Sequence, residues 1–183
     1  MYPQKRRSAY RPLLKKFVIS CEGGVTEKEY FERVRALAWD KANLDILTDR
    51  HKSSPVQVLE RLKNYSKSLQ SGDEMWCVVD KDNWTNYQFA ELEKWSAESG
   101  DGVVRRIALS DPKFEVWLLA HFQPLPDSCG PSECIRLLRQ YLPNYDKHLD
   151  KAAFSLDSMA CAIRNAKDSF TSVGELIERI LQL

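Results

Sequence analysis

The 183-residue sequence predicts an α/β domain with a mostly parallel four-stranded sheet flanked by helices, followed by a C-terminal helical extension. Three observations lead there. Four short apolar runs are bounded by polar turns, helix-period segments alternate with those runs, and no further strand-like run occurs after about residue 128. Hydrophobic residues make up 43% and charged residues 29% of the chain, a balance that suits a globular core and argues against disorder.

The first run, "KFVISC" (16–21), reads as a short buried strand that ends at Glu22 and two glycines. "VTEKEYFERVRALAW" follows, with Val25, Tyr30, Val34, Leu37 and Ala38 at roughly helical spacing, Thr26 as the expected N-cap and Glu29 three residues on. "NLDILT" is the second strand and "DRHKSS" its exit loop, after which Pro55 opens the helix "PVQVLERLKNYSKSLQ". "MWCVV" is the third strand, left through "DKDN", and "WTNYQFAELEKWSAES" is the third helix. "GDGVVRRIALS" supplies a turn and the fourth strand, and "DPKFEVWLLAHF" is a helix expected to open at Pro112. Beyond the proline-rich "QPLPDSCGP", three segments suit helices: "SECIRLLRQYL", "DKAAFSLDSMACAIRNAKDSF" and the amphipathic "SVGELIERILQL", which could serve a partner. The expected organisation is a basic arm (1–15), an α/β core (16–125) and a helical extension packed on it (126–183).

Net charge is +1, but it is unevenly divided. Of the 27 basic residues, six lie in the first 16 positions, where no acidic residue occurs, so the remainder carries 21 basic against 26 acidic residues. Such an arm can neutralise phosphates locally or merely solubilise a frayed terminus. The five cysteines are odd in number and scattered, with two inside strand-like runs, so neither a disulfide framework nor a zinc site is expected. No apolar run approaches the ~18 residues of a membrane span, and no long apolar stretch follows the basic N-terminus as in a secretory signal. The expected compartment is the cytoplasm. No GxxxxGK[ST] loop occurs, so ATP hydrolysis by this chain is not expected.

The chemistry concentrates where the strands end. Asp80 and Asp82 leave the third strand one residue apart, and Glu22 leaves the first. If those strands are parallel neighbours, their exits lie roughly 5 Å apart, at the edge where open α/β sheets place ligands. Like charges so close oppose one another's ionisation, and a hard divalent ion, Mg²⁺ or Mn²⁺, relieves the repulsion. Acidic residues at loop starts also cap helices, which is the competing reading for "DKD".

"VISCEGGVTEKEYF", "WCVVDKDNW" and "SDPKFEVWLLAHF", in that order and spacing, resemble the RloB family, whose core resembles the Toprim fold of topoisomerases, primases and overcoming-lysogenization-defect nucleases. The resemblance implies metal-ligand roles for Glu22, Asp80 and Asp82, a prokaryotic antiviral-defence or restriction-associated setting, and an ATPase as partner. It also favours Glu115 as a further ligand or a base orienting water, over a salt bridge to an arginine.

Two related phosphodiester reactions fit a glutamate with a DxD. Strand transfer through a tyrosine needs a separate domain, so hydrolysis of DNA or RNA by a metal-dependent nuclease is the leading expectation. Lys113 beside Glu115 and Lys81 between the aspartates are the expected phosphate contacts, with His51 and Lys52 on the loop after the second strand as further nucleic-acid-binding candidates. His51 is a candidate general acid or base, because the unperturbed pKa of a histidine side chain falls near neutrality. Trp76, Trp95 and Trp117 read as core, whereas Trp84, just outside the DxD, could stack on a base. The competing hypotheses are a non-catalytic module that binds nucleic acid or the ATPase on a Toprim-like scaffold, and a phosphohydrolase acting on a small nucleotide in an enclosed pocket. Homo-oligomerisation is open on either reading.

Overall fold

A computed structural model describes residues 13–49, 54–81, 85–167 and 169–183. Four parallel strands, β1 (Lys16–Cys21), β2 (Asn43–Leu47), β3 (Glu74–Asp80) and β4 (Val104–Ser110), form one sheet in the order β2-β1-β3-β4. Each is followed by a helix: α1 (Thr26–Leu37), α2 (Pro55–Lys63), α3 (Asn86–Ser96) and α4 (Glu115–Ala120). The remaining helices are α5 (Pro131–Tyr141), α6 (Leu156–Asn165) and α7 (Val173–Leu181), with a 3₁₀ turn at Lys151–Ala153. The expected α/β class is therefore observed, and the sheet expected to be mostly parallel is parallel throughout.

The two-residue period of the strands divides the core in two. Phe17, Ile19, Cys21, Trp76, Val78 and Ala108 face α1 and the helices from α4 onward. Val18, Met75, Cys77 and Val79 face α2 and α3, where Val58, Leu59, Leu62, Leu92 and Trp95 are buried. A sheet covered on both faces explains why β1 and β3 read as continuous apolar runs. Trp76, Trp95 and Trp117 are core residues, as expected. Cys21 and Cys77 are buried thiols whose ionisation is suppressed by desolvation, so they pack as small hydrophobes.

The C-terminal helices share the core beneath α1 and α4. Val173, Leu176, Ile177, Ile180 and Leu181 of α7 are fully buried within the chain. The apolar face offered as a partner surface is thus already used internally. The outer edge of β4 is covered too: Ser110 and Thr171 form an antiparallel bridge, flanked by backbone hydrogen bonds from Asp111 N to Phe170 O (2.6 Å) and Ser172 N to Leu109 O (2.9 Å). At the opposite end of the sheet, the fully buried Glu74 carboxylate ties β3 to α7 and to the residue ahead of β1. It accepts from Lys15 Nζ (2.6 Å), Arg179 Nη1 of α7 (3.2 Å) and Trp76 Nε1 (2.8 Å).

Several local expectations are corrected by long-range contacts. Val25, not Thr26, occupies the N-cap of α1, because Thr26 Oγ1 donates to Lys147 O at 2.8 Å instead of capping. Helix α2 opens with a Ser54–Gln57 capping box and Pro55, but stops at Lys63 rather than near residue 70. Beyond it the chain is drawn to the sheet, where Tyr65 Oη donates to Asp45 (2.5 Å), Lys67 pairs with Asp45 (3.0 Å) and Lys16 Nζ reaches Ser68 O (3.2 Å). Helix α4 begins at Glu115, and Pro112 lies ahead of it in a cis peptide with Asp111. Although no disulfide framework is expected from the sequence, Cys129 and Cys134 form a disulfide with a Cα–Cα distance of 5.8 Å. Among the described residues, no helix is long and apolar enough to cross a membrane.

Candidate functional site

The ends of β1, β3 and β4 come together as their register requires. Cys21 pairs with Val78, and Asp80 pairs with Ser110. Glu22 extends the ladder by one residue, its N–H donating to Val78 O at 3.1 Å. Its side chain then crosses to the neighbouring strand, where Oε2 accepts the Asp80 N–H at 3.2 Å. Two of the three predicted carboxylates thus occupy adjacent strand exits. Asp82 lies outside the described residues, as do Trp84, His51 and Lys52.

Glu22 and Asp80 line a cleft of about 510 Å³ with Glu27, Asp49, Glu115, Lys113, Lys147 and His148. Lys113 and Glu115 are therefore brought to the cleft, as predicted. Glu115 Oε1 accepts from Tyr145 Oη at 2.8 Å, which aims the carboxylate from the first turn of α4. Tyr145 is buried, and both burial and the adjoining Glu115 charge raise its pKa, so it remains a donor. Lys81 is directed elsewhere, pairing with Asp111 at 2.6 Å across the ends of β3 and β4. Behind Glu22, Arg61 of α2 donates to Ser20 Oγ (3.1 Å) and Cys21 O (2.5 Å), fixing the last turn of α2 against the end of β1.

Sequence reasoning missed Asp49, Lys147 and His148 among the cleft residues, and above all Glu27. It is buried in the first turn of α1, and Oε1 accepts the Gly23 N–H at 2.9 Å. A methyl group at Gly23 would overlap this carboxylate, so the glycine is what allows it to sit there. Desolvation raises the Glu27 pKa from 4.5 to about 7, with the Glu115 and Glu22 charges adding to the rise. A signal was present: positions 27, 30, 31 and 34 form one helical stripe, and the other three are buried apolar residues.

The acidic side chains that line the cleft offer carboxylate oxygens. That chemistry fits a hard divalent cation such as Mg²⁺ or Mn²⁺, not a thiophilic metal. Among the described residues, no three His, Cys, Asp or Glu side chains converge closely enough to hold an ion by themselves. Glu22 and Asp80 are the pair that adjacent strand ends bring together.

No curated protein and no solved structure matches the chain. A family model described as RloB-like protein matches residues 17–180, which takes in every strand end and helix that builds the cleft. The chain therefore belongs to the RloB-like protein family.

Proposed function

We propose that this protein is a divalent-metal-dependent nuclease of the Toprim-like kind, hydrolysing phosphodiester bonds of DNA or RNA in a prokaryotic phage-defence or restriction-associated system together with a partner ATPase. The observation that carries this reading is the union of Glu22 and Asp80 at adjacent parallel strand ends, joined by the Asp80 N–H and opening on a cleft that also contains Glu115 and Lys113. Membership of the RloB-like family supports it independently.

In this reading Glu22 and Asp80, with Asp82, hold the cation. The bound ion supplies Lewis-acid stabilisation of the phosphoryl oxygens and acidifies water at neutral pH. Glu115, held by Tyr145, faces the cleft where a water would be oriented. Lys113 offsets charge on the reacting phosphate.

The test uses the purified chain, with and without its proposed partner ATPase, in Mg²⁺ or Mn²⁺ on end-labelled single- and double-stranded DNA and RNA. Cleavage is expected in at least one combination, and Glu22→Gln or Asp80→Asn should slow it by ~100-fold or more, the scale of a lost metal contact. Variants that cleave at the wild-type rate would sink the proposal. Binding without cleavage in every combination would favour a non-catalytic module instead.

A further inference from the structure

The carboxylates come from the sheet and α1–α4, yet one wall of the cleft comes from the segment between α5 and the 3₁₀ turn. Residues 145–149 are fastened to α1 and α4 by consecutive polar contacts. Tyr145 Oη donates to Glu115 Oε1 (2.8 Å) and lies 3.4 Å from Thr26 Oγ1. Thr26 Oγ1 donates to Lys147 O (2.8 Å). The Leu149 N–H donates to Glu29 Oε2 (2.7 Å), and His148 Nδ1 contacts Glu29 Oε1 (2.8 Å). From the other side, Arg139 Nε donates to Tyr145 O at 3.3 Å. Two side chains expected to cap α1, Thr26 and Glu29, are given over to holding this segment.

Lys147 is what the segment delivers. Lys147 lines the cleft with Glu22, Asp80 and Glu115, and it is exposed. Its backbone is left-handed, φ 65°, a conformation disfavoured for a residue with a Cβ and readily taken by glycine. Lys67, Lys81, Lys151 and Lys167 all pair with nearby carboxylates, but the Lys147 ammonium makes no salt bridge with any described residue. An exposed ammonium carried on a fastened loop beside carboxylates, and not consumed by them, is available to an incoming anion.

We propose that Lys147 contacts a backbone phosphate of the nucleic-acid strand bound in this cleft, so that residues 145–149 form part of the substrate site. The inference rests on the nuclease reading and names a contact that reading does not require. Lys147 lines the same cleft as Lys113, which lies just ahead of α4, and the two lysines contact the strand while the carboxylates hold the cation. The contact is to phosphate, so it carries no base preference.

The glycine-like backbone makes the test selective. Lys147→Gly removes the ammonium and relaxes the left-handed residue, so the melting temperature should stay the same or rise, and Lys147→Asn, also tolerated there, should behave alike. Affinity for fluorescein-labelled DNA and RNA oligonucleotides is measured by anisotropy in Ca²⁺, which permits binding without turnover. Both variants should weaken binding about tenfold and lower the slope of log affinity against log salt by ~0.7–0.9, the signature of one lost phosphate contact. Lys147→Arg should restore both. Unchanged affinity, or weaker binding with an unchanged salt slope, overturns this inference and leaves the nuclease reading standing. A wild-type chain that binds no oligonucleotide in Ca²⁺, Mg²⁺ or Mn²⁺ overturns both.

Discussion

Replacing Glu27 by Gln should stabilise the protein above neutral pH and leave it unchanged in acid. The carboxyl is buried near Glu22 and Glu115, and its pKa rises from 4.5 to about 7 on folding. Between these values the native state keeps the proton that the unfolded chain has released. The native state therefore binds more protons, and this group's contribution to stability falls as pH rises through the window. At about 1.4 kcal/mol per pH unit, the cost at full ionisation is about 3 kcal/mol. Glutamine keeps an oxygen to accept the Gly23 N–H now seen at 2.9 Å, so the variant removes the charge and retains the hydrogen bond. Urea unfolding of both proteins in EDTA, at several pH values from about 4 to about 8, yields the difference, because titrating groups that do not couple to Glu27 cancel. The variant should gain about 2–3 kcal/mol near pH 8, and the two curves should converge near pH 4. Equal stability at both ends, or a variant that is weaker at pH 8, would refute the placement of this carboxylate.

Other consequences follow from the same contacts. Gly23→Ala should expel the Glu27 carboxylate from its seat, so that adding Glu27→Gln to this variant no longer produces a pH-dependent difference when the urea series is repeated. His121 is buried, donating from Nδ1 to Trp117 O (3.1 Å) with Nε2 3.2 Å from Tyr30 Oη, and desolvation lowers its pKa from 6.5 to about 4. An NMR titration of its ring should show a midpoint near 4; a midpoint near 6.5 would contradict its burial as a neutral ring. Because the unfolded chain takes up the proton first, His121 makes stability fall as pH drops from 6.5 towards 4, the opposite sense to Glu27. Glu74→Gln leaves Lys15 and Arg179 without their buried anion and should lower stability by ~1–3 kcal/mol in urea, with faster amide exchange in α7; unaltered exchange in α7 would mean that the Arg179 contact does not hold that helix.

The order of strands and helices was legible because β1 and β3 are buried on both faces and read as nearly unbroken apolar runs between polar turns. The meeting of Glu22 and Asp80 was legible for a related reason: parallel neighbours must end on the same edge. Contacts between distant parts of the chain were not. Thr26 and Glu29 have the spacing of a capping box, but Lys147 and Leu149, about 120 residues later, take both side chains. Asp45 ends α2 early by drawing Tyr65 and Lys67 to the sheet. The amphipathic stripe of α7 was plain in the sequence, but nothing local reveals whether such a face meets the same chain or another. Glu27 was passed over because an acidic residue in a first helical turn is ordinary; its neighbours on the stripe were the better guide.

The proposed chemistry depends above all on Glu22 and Asp80 acting together as the foundation of a divalent-cation site. Calorimetric titration of Mg²⁺ and of Mn²⁺ into the wild-type chain, into Glu22→Ala and into Asp80→Ala tests it without substrate or partner. Saturable binding by the wild type, lost in each variant while circular dichroism stays unchanged, is the predicted result. Binding that survives both substitutions, or a wild-type chain that takes up neither ion, would contradict it.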